Sequence, residues 1–270
     1  MTLKPFTKDK ALGLAGLLLA CLNAAPVAAL AADDAARLKA DLTPLGAERA
    51  GNKDGSIPAW GGGLTGGTSA DKPGGRRTDP FKDDKIQYSV SGKNMDAHGD
   101  KLTDGVKALL KKYPDFRLDV YPTRRTAAAP QWVYDQTARN LSRAKLEGDV
   151  PEGAYGGIPF PIPKTGAEVM WNHLLRWRGT AWQMQFSQYQ ITVDGKAVLT
   201  AESTADQLMP YYLQDGSPDK FAKSQDYWLL RLLTQAPAIR SGEAVVARNN
   251  IQNGKDQAWV YLPGQRRVRK

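Results

Sequence analysis

Two histidines and one cysteine are the only side chains of their kinds in 270 residues. His98 sits in a polar run, Asp96 to Asp100, with no second ligand at a metal-binding spacing. His173 lies on a candidate helix five residues after Glu168, where a histidine is ordinarily a satisfied helix residue. There is no G-x-S-x-G elbow, no H-E-x-x-H, no P-loop, and no G-x-G-x-x-G opening a helix after a strand. The Gly-rich stretches at 61–67 and 153–157 lack the lysine and the helix that phosphate binding needs. No carboxylate pair stands out in apolar surroundings, so nothing supports glycosidase chemistry. The expectation is a non-enzyme with no catalytic residue, no metal and no cofactor.

What the sequence does carry is apolar surface at strand spacing. Trp182, Met184 and Phe186 alternate with Gln183, Gln185 and Ser187, which gives a strand one apolar and one polar face. Trp228, Leu230 and Leu232 repeat the pattern on a later strand. Seven Trp and ten Tyr are present, and Trp171, Trp177, Trp182, Trp228 and Trp259 fall in the last hundred residues. Any one of these is ordinarily core; as a set they suit a curved sheet enclosing a site for a lipid or other hydrophobic molecule. Arg176, Arg178, Arg266, Arg267 and Arg269 would meet acidic headgroups or a partner. They read equally well as a solvated face with cation–π contacts to Trp177 or Trp259.

The elements that must position these residues fall into two groups. Helices come first: residues 33–40, residues 101–113 on the stripe Leu102, Val106, Leu109, Leu110 and Tyr113, and residues 131–147. A fourth opens at the capping box of Thr165 and Glu168 and runs to about Trp177. Arg117 to Tyr121 alternates as a short strand. Residues 46–80 are rich in Gly, Pro, Ser and Asp and read as an extended arm, in which Trp60 is an apolar plug that docks. Gly153 to Pro163 has too many glycines and prolines for regular structure, yet its apolar residues place it on the core. From Thr180 successive antiparallel strands dominate: 182–193, 197–202, 227–235, 243–249, 258–262 and 266–270, with turns at Asp194-Gly195, Asn253-Gly254 and Pro263-Gly264. The fold class is α+β, an antiparallel sheet following helices and a Gly/Pro-rich arm.

The N-terminus carries an address. Lys4, Lys8 and Lys10 precede the uncharged stretch Ala11 to Leu22, and small residues lead up to Asp33 and Asp34. That order is a secretory signal, and its apolar run is too short for a stable membrane span. Ala29-Leu30-Ala31 offers cleavage before Ala32. Leu18-Leu19-Ala20-Cys21 offers a lipobox instead, with Pro26 favouring the first route. Cleavage after Ala31 removes Cys21 and lowers the net charge from +9 to about +7. Exported to the periplasm, possible anionic partners are lipid headgroups, lipopolysaccharide or an acidic protein face, with nucleic acid excluded as a partner.

Three segments in order resemble a known family. They are Leu42 to Asn52 with Asp54 to Trp60, then Trp171 to Gly179, then Ala258 to Arg269. Together they are similar to exported bacterial proteins grouped as domain of unknown function 1329. The resemblance implies likeness to outer-membrane lipoprotein-sorting proteins (LolA/LolB-like). Their fold is a strongly curved antiparallel half-barrel with helices packed on its concave side over an apolar cavity. With residues 1–31 read as signal peptide and 32–80 as arm, it implies that 81–270 form the sorting-like domain. Members of the family are usually longer, which adds the expectation of a C-terminal part beyond Lys270.

Two functions follow as expectations. One is a periplasmic carrier for a lipid, lipoprotein or other hydrophobic molecule in outer-membrane trafficking, with Trp182, Met184, Phe186, Trp228, Leu230 and Leu232 lining its site. The other is an envelope adaptor that docks a resistance-nodulation-division transporter or an outer-membrane protein.

Overall fold

A computed structural model describes residues 33–66, 75 and 78–270 of the chain. The predicted leader, with Cys21 and the Ala29-Leu30-Ala31 site, lies outside the described residues, as does part of the arm. The chain divides into two compact units, residues 49–128 and the remainder. Helix α1, residues 33–39, belongs to the larger unit. Among the described residues no helix is long and apolar enough to cross a membrane.

In the smaller unit β1 (Tyr88–Ser91) pairs antiparallel with β2 (Arg117–Val120), and Val90 lies opposite Leu118. Helix α2 (Asp104–Lys112) lies between them in the chain. It starts three residues later than the apolar stripe predicts, because the Thr103 hydroxyl caps it by accepting from the Val106 amide at 3.4 Å. The stripe is also narrower in use: Leu110 is buried with Val90 and Met95, whereas Leu109 and Tyr113 are exposed. This core is small, so a single truncation is felt strongly. Leu110→Ala should cost about 2–5 kcal/mol locally, seen as faster amide exchange across residues 88–120. An unchanged exchange pattern would contradict this packing.

The Trp60 plug docks as expected. Its indole Nε1 donates to the Ala127 carbonyl at 2.9 Å, and the Arg49 guanidinium lies 5.2 Å from the ring centre. Arg125 Nη1 reaches the Arg49 and Ala50 carbonyls at 3.1 and 3.2 Å, which holds the arm's turn without regular structure.

In the larger unit α3 (Gln131–Arg143) ends four residues before its predicted limit. Ala144 is extended, and β3 (Lys145–Glu147) turns at Gly148 onto β4 (Val150–Glu152). Gly148 has φ +60°, a conformation that suits glycine at the turn. The following loop is buried from Ala154 to Pro161, as its apolar residues predict. Helix α4 (Gly166–Leu174) has the expected capping box at Thr165 and Glu168. It stops short of Trp177, because Leu175 leaves the helix to become fully buried.

The sheet is a six-stranded antiparallel meander: β5 (Ala181–Ile191), β6 (Ala197–Leu208), β7 (Asp226–Ala236), β8 (Ala244–Asn250), β9 (Gln257–Leu262) and β10 (Arg267–Arg269). Strands neighbour one another in chain order, and the sheet is open, with β5 and β10 at its edges. Strand β6 runs six residues beyond its predicted end, with its pairing to β7 continuing past an irregularity between Glu202 and Ser203. Helix α5 (Pro218–Ser224) fills the connection from β6 to β7, capped by Ser217.

The core of the larger unit gathers at one end of this sheet. Met209, Tyr211, Tyr212, Tyr227 and Ile251 meet Val133 of α3, Leu175 and Phe221, with Trp132, Trp177, Trp182 and Trp228 packed on them. Edge-to-face rings fix the geometry: Trp177 on Tyr212 and Tyr211 on Tyr212 are each centred 5.0 Å apart. The Tyr211 hydroxyl donates to the Gly157 carbonyl at 2.7 Å, and Tyr212 donates to Leu175. Burial holds both phenols well above their usual range, so they act as neutral donors.

Candidate functional site

The strand register determines what shares a face. Trp182, Met184 and Phe186 lie opposite Gln207, Ala205 and Ser203 of β6. Those three lie opposite Leu230, Leu232 and Thr234 of β7. Leu230 and Leu232 lie opposite Ala247 and Val245 of β8, which lie opposite Ala258 and Val260 of β9. Directly opposed residues of an antiparallel pair share a face. All six predicted lining residues, Trp182, Met184, Phe186, Trp228, Leu230 and Leu232, therefore stand on one face of the sheet. Ala205 and Ser203 on β6 between them are small, so the large side chains of β5 and β7 flank a shallow trough.

At one end this face is covered by the aromatic core, and its small residues further along, Ser203, Ala205 and Thr234, are buried as well. Trp182 and Trp228 pack against the aromatic core, and the Trp228 indole donates to Gln207 Oε1 at 2.8 Å. Further along, Met184 is 43% and Phe186 39% exposed. Ser203 and Thr234 are both buried and satisfy each other at 3.2 Å. Their hydroxyls thus ask nothing of a ligand, and the trough behaves as apolar surface.

The opposite face is mixed: Leu233, Val246 and Tyr261 are exposed on it, beside a polar cluster nearer the β5 edge. Gln183 Nε2 donates to Asp206 Oδ1 at 2.6 Å, and Arg231 Nε donates to Asp206 Oδ2 at 2.7 Å, a polar ladder across three strands. The Gln183 amide first and the Arg231 guanidinium second hold the Asp206 carboxyl below its usual range. Its folded-state pKa is depressed, so its contribution is present above the unfolded value and is lost as pH falls through the folded one. Arg231→Gln should raise the Asp206 pKa toward the ordinary carboxylate range, read by carbon-detected NMR titration. No movement would show the Arg231–Asp206 contact to be absent in solution.

The five predicted arginines do not form one site. Arg178 stays near the trough's covered end, 5.5 Å from the Trp182 ring centre, and burial with Arg176 nearby pulls its guanidinium below the usual range. Arg176 turns back instead, donating to the His173 carbonyl at 2.6 Å. Arg266, Arg267 and Arg269 sit at the other edge of the sheet, five strand intervals from β5, about 24 Å across a flat sheet. Arg267 and Arg269 pair with Leu262 and Val260, so they rim the apolar face, and Arg266 sits in the preceding turn. Trp259 has its cations, but they are Arg248 and Lys270, at 5.7 and 5.5 Å.

Sequence reasoning missed a second concavity of about 280 Å³. It is lined by Asn140, Lys145, Phe160, Ile162, Lys164 and Glu168, among others. Three of its charged groups have local work: Lys145 pairs with Glu147, Asp34 with Arg37, and Glu168 completes the α4 cap. Apolar periodicity could not reveal it, because its walls come from a helix end, a hairpin and a loop. Among the described residues no cluster of His, Cys, Asp or Glu could hold a metal ion.

A family model described as "Protein of unknown function (DUF1329)" matches residues 89–270. The uncharacterized protein PA3922 of Pseudomonas aeruginosa is 37% identical over 259 residues, which cover 94% of this chain and 56% of that protein. The chain thus spans little more than half the length of that relative. No solved structure matches.

Proposed function

Because the chain belongs to the family of proteins of unknown function (DUF1329), we propose a role that its sheet can perform without chemistry. It is a periplasmic carrier that holds the apolar part of a lipid, lipoprotein or similar amphiphile on one face of that sheet. The leader at residues 1–31 takes it there and is cleaved after Ala31. The open sheet is the wall of a curved half-barrel like that of lipoprotein-sorting proteins, with the apolar face concave.

One observation carries the reading. Six large apolar side chains from β5 and β7 share a face, and toward the edge strand Met184 and Phe186 of that face are exposed. The other face carries the Gln183–Asp206–Arg231 ladder. Apolar surface left open beside a formed core marks a binding surface more often than a defect. Arg178 at the covered end, and Arg267 with Arg269 on the far rim, suit the acidic headgroup of such a molecule.

The test is a titration with 1-anilinonaphthalene-8-sulfonate, competed by a long-chain fatty acid. Saturable fluorescence that the fatty acid displaces at micromolar concentration supports the proposal. Absence of saturable binding, or fluorescence that the fatty acid leaves unchanged, overturns it.

A further inference from the structure

The two edges of the sheet are built differently. Strand β10 spans three residues, two of them arginine, and charges on an edge discourage further pairing. Strand β5 spans eleven residues, AWQMQFSQYQI, without one charge or proline. Among the described residues no strand pairs with its outer edge, and Met184, Phe186, Tyr189 and Ile191 are all exposed. Nor does a bulge twist this edge away, since the irregularity at Gln188 and Tyr189 places its extra residue, Thr200, in β6. A long, uncharged edge is a template for another strand.

We propose that β5 is a homodimer seam, pairing antiparallel with β5 of a second copy about a two-fold axis at Gln185. The sequence is self-complementary in that register. Met184 opposes Phe186 of the partner, Gln183 opposes Ser187, and Gln185 opposes itself. Apolar residues thus meet apolar ones on one face, and amides meet an amide or hydroxyl on the other. No charge anywhere on the strand repels its copy, which selects a second copy over a charged peptide as the occupant. The two apolar faces then join into one surface across twelve strands. A C2 seam closes on itself, so the product is a dimer and not a fibre. One strand pair is a small interface, so the dimer exchanges with monomer at micromolar concentration. This inference rests on register and charge, and holds whether or not the face carries a lipid.

Sedimentation of the full chain should give a mass that rises toward twice the monomer with concentration. Gln185→Lys with Ser187→Lys, on the polar face, should hold it at the monomer with an unchanged circular dichroism spectrum. A second test reads the register and survives a poorly folding lysine variant. In a Cys21→Ser background, Gln185→Cys should form a disulfide dimer under mild oxidation, because residues directly opposed across a strand pair are within disulfide reach. Ser187→Cys should not, because its copy lies four residues along the strand, about 13 Å away. A monomer at every concentration, a dimer that survives both lysines, or equal cross-linking at 185 and 187 would each overturn the proposal.

Discussion

Leu232→Asp should abolish amphiphile binding, raising the dissociation constant by about 100-fold or more. A carboxylate facing an acyl chain without a partner costs several kcal/mol, and about 1.4 kcal/mol is a factor of ten. Leu232 sits mid-trough, opposite Ala205 on one side and Val245 on the other. The control is its neighbour. Leu233 is 41% exposed and points to the opposite face, so Leu233→Asp should bind as the native chain does. Both substitutions add the same charge to the same strand, so any general effect of charge or stability appears in both. Equal losses would contradict a one-sided site. Isothermal titration with a fatty acid, alongside thermal melting of each variant, separates the outcomes.

Asn140→Ala should be the most damaging single change to stability in the larger unit. Asn140 is almost fully buried on α3 and serves three partners. Its amide donates to the Ile158 carbonyl at 2.9 Å, and its carbonyl accepts from Arg143 Nε at 2.8 Å and the Tyr155 amide at 3.2 Å. Truncation leaves a carbonyl, an amide and one guanidinium N–H without their partner inside the protein. Each buried polar group left unsatisfied costs about 1–3 kcal/mol, so a total loss of about 3–5 kcal/mol is expected. Arg143 keeps the Gln136 side chain and the Tyr155 carbonyl, which limits the damage. Urea unfolding with unchanged slope and a lower midpoint would report it; a loss under about 1 kcal/mol would contradict the network.

How far the sequence reaches is visible in these same residues. The trough was legible because strand alternation has period two: once Trp182, Met184 and Phe186 alternate with polar residues, any strand puts them on one face. The alternation on β7 is weaker, since Leu229 and Leu233 interrupt it, and only the register with Ala205 and Gln207 places Leu230 and Leu232 beside them. The Thr165 and Glu168 capping box is local and was read correctly. Helix ends were misjudged where tertiary burial decided them, as Leu175 did for α4. Grouping the five arginines failed for another reason. Strand order is a long-range property, and nothing in the composition of Arg176 to Arg178 or Arg266 to Arg269 reveals that five strand intervals separate β5 from β10. The Asn140 network was equally hidden, because an asparagine in a helix looks like a surface residue until the loop that it holds is folded onto it.

The apolar face of the sheet is the centre of this account, and its most direct test reads what the protein carries when purified. Protein purified from the envelope fraction without detergent is extracted with organic solvent, and the extract is read by mass spectrometry. A carrier should yield one class of amphiphile at near-stoichiometric amount, depleted in the Leu232→Asp variant and retained in Leu233→Asp. An extract with no bound amphiphile, from protein that also shows no saturable probe binding, would contradict the carrier reading.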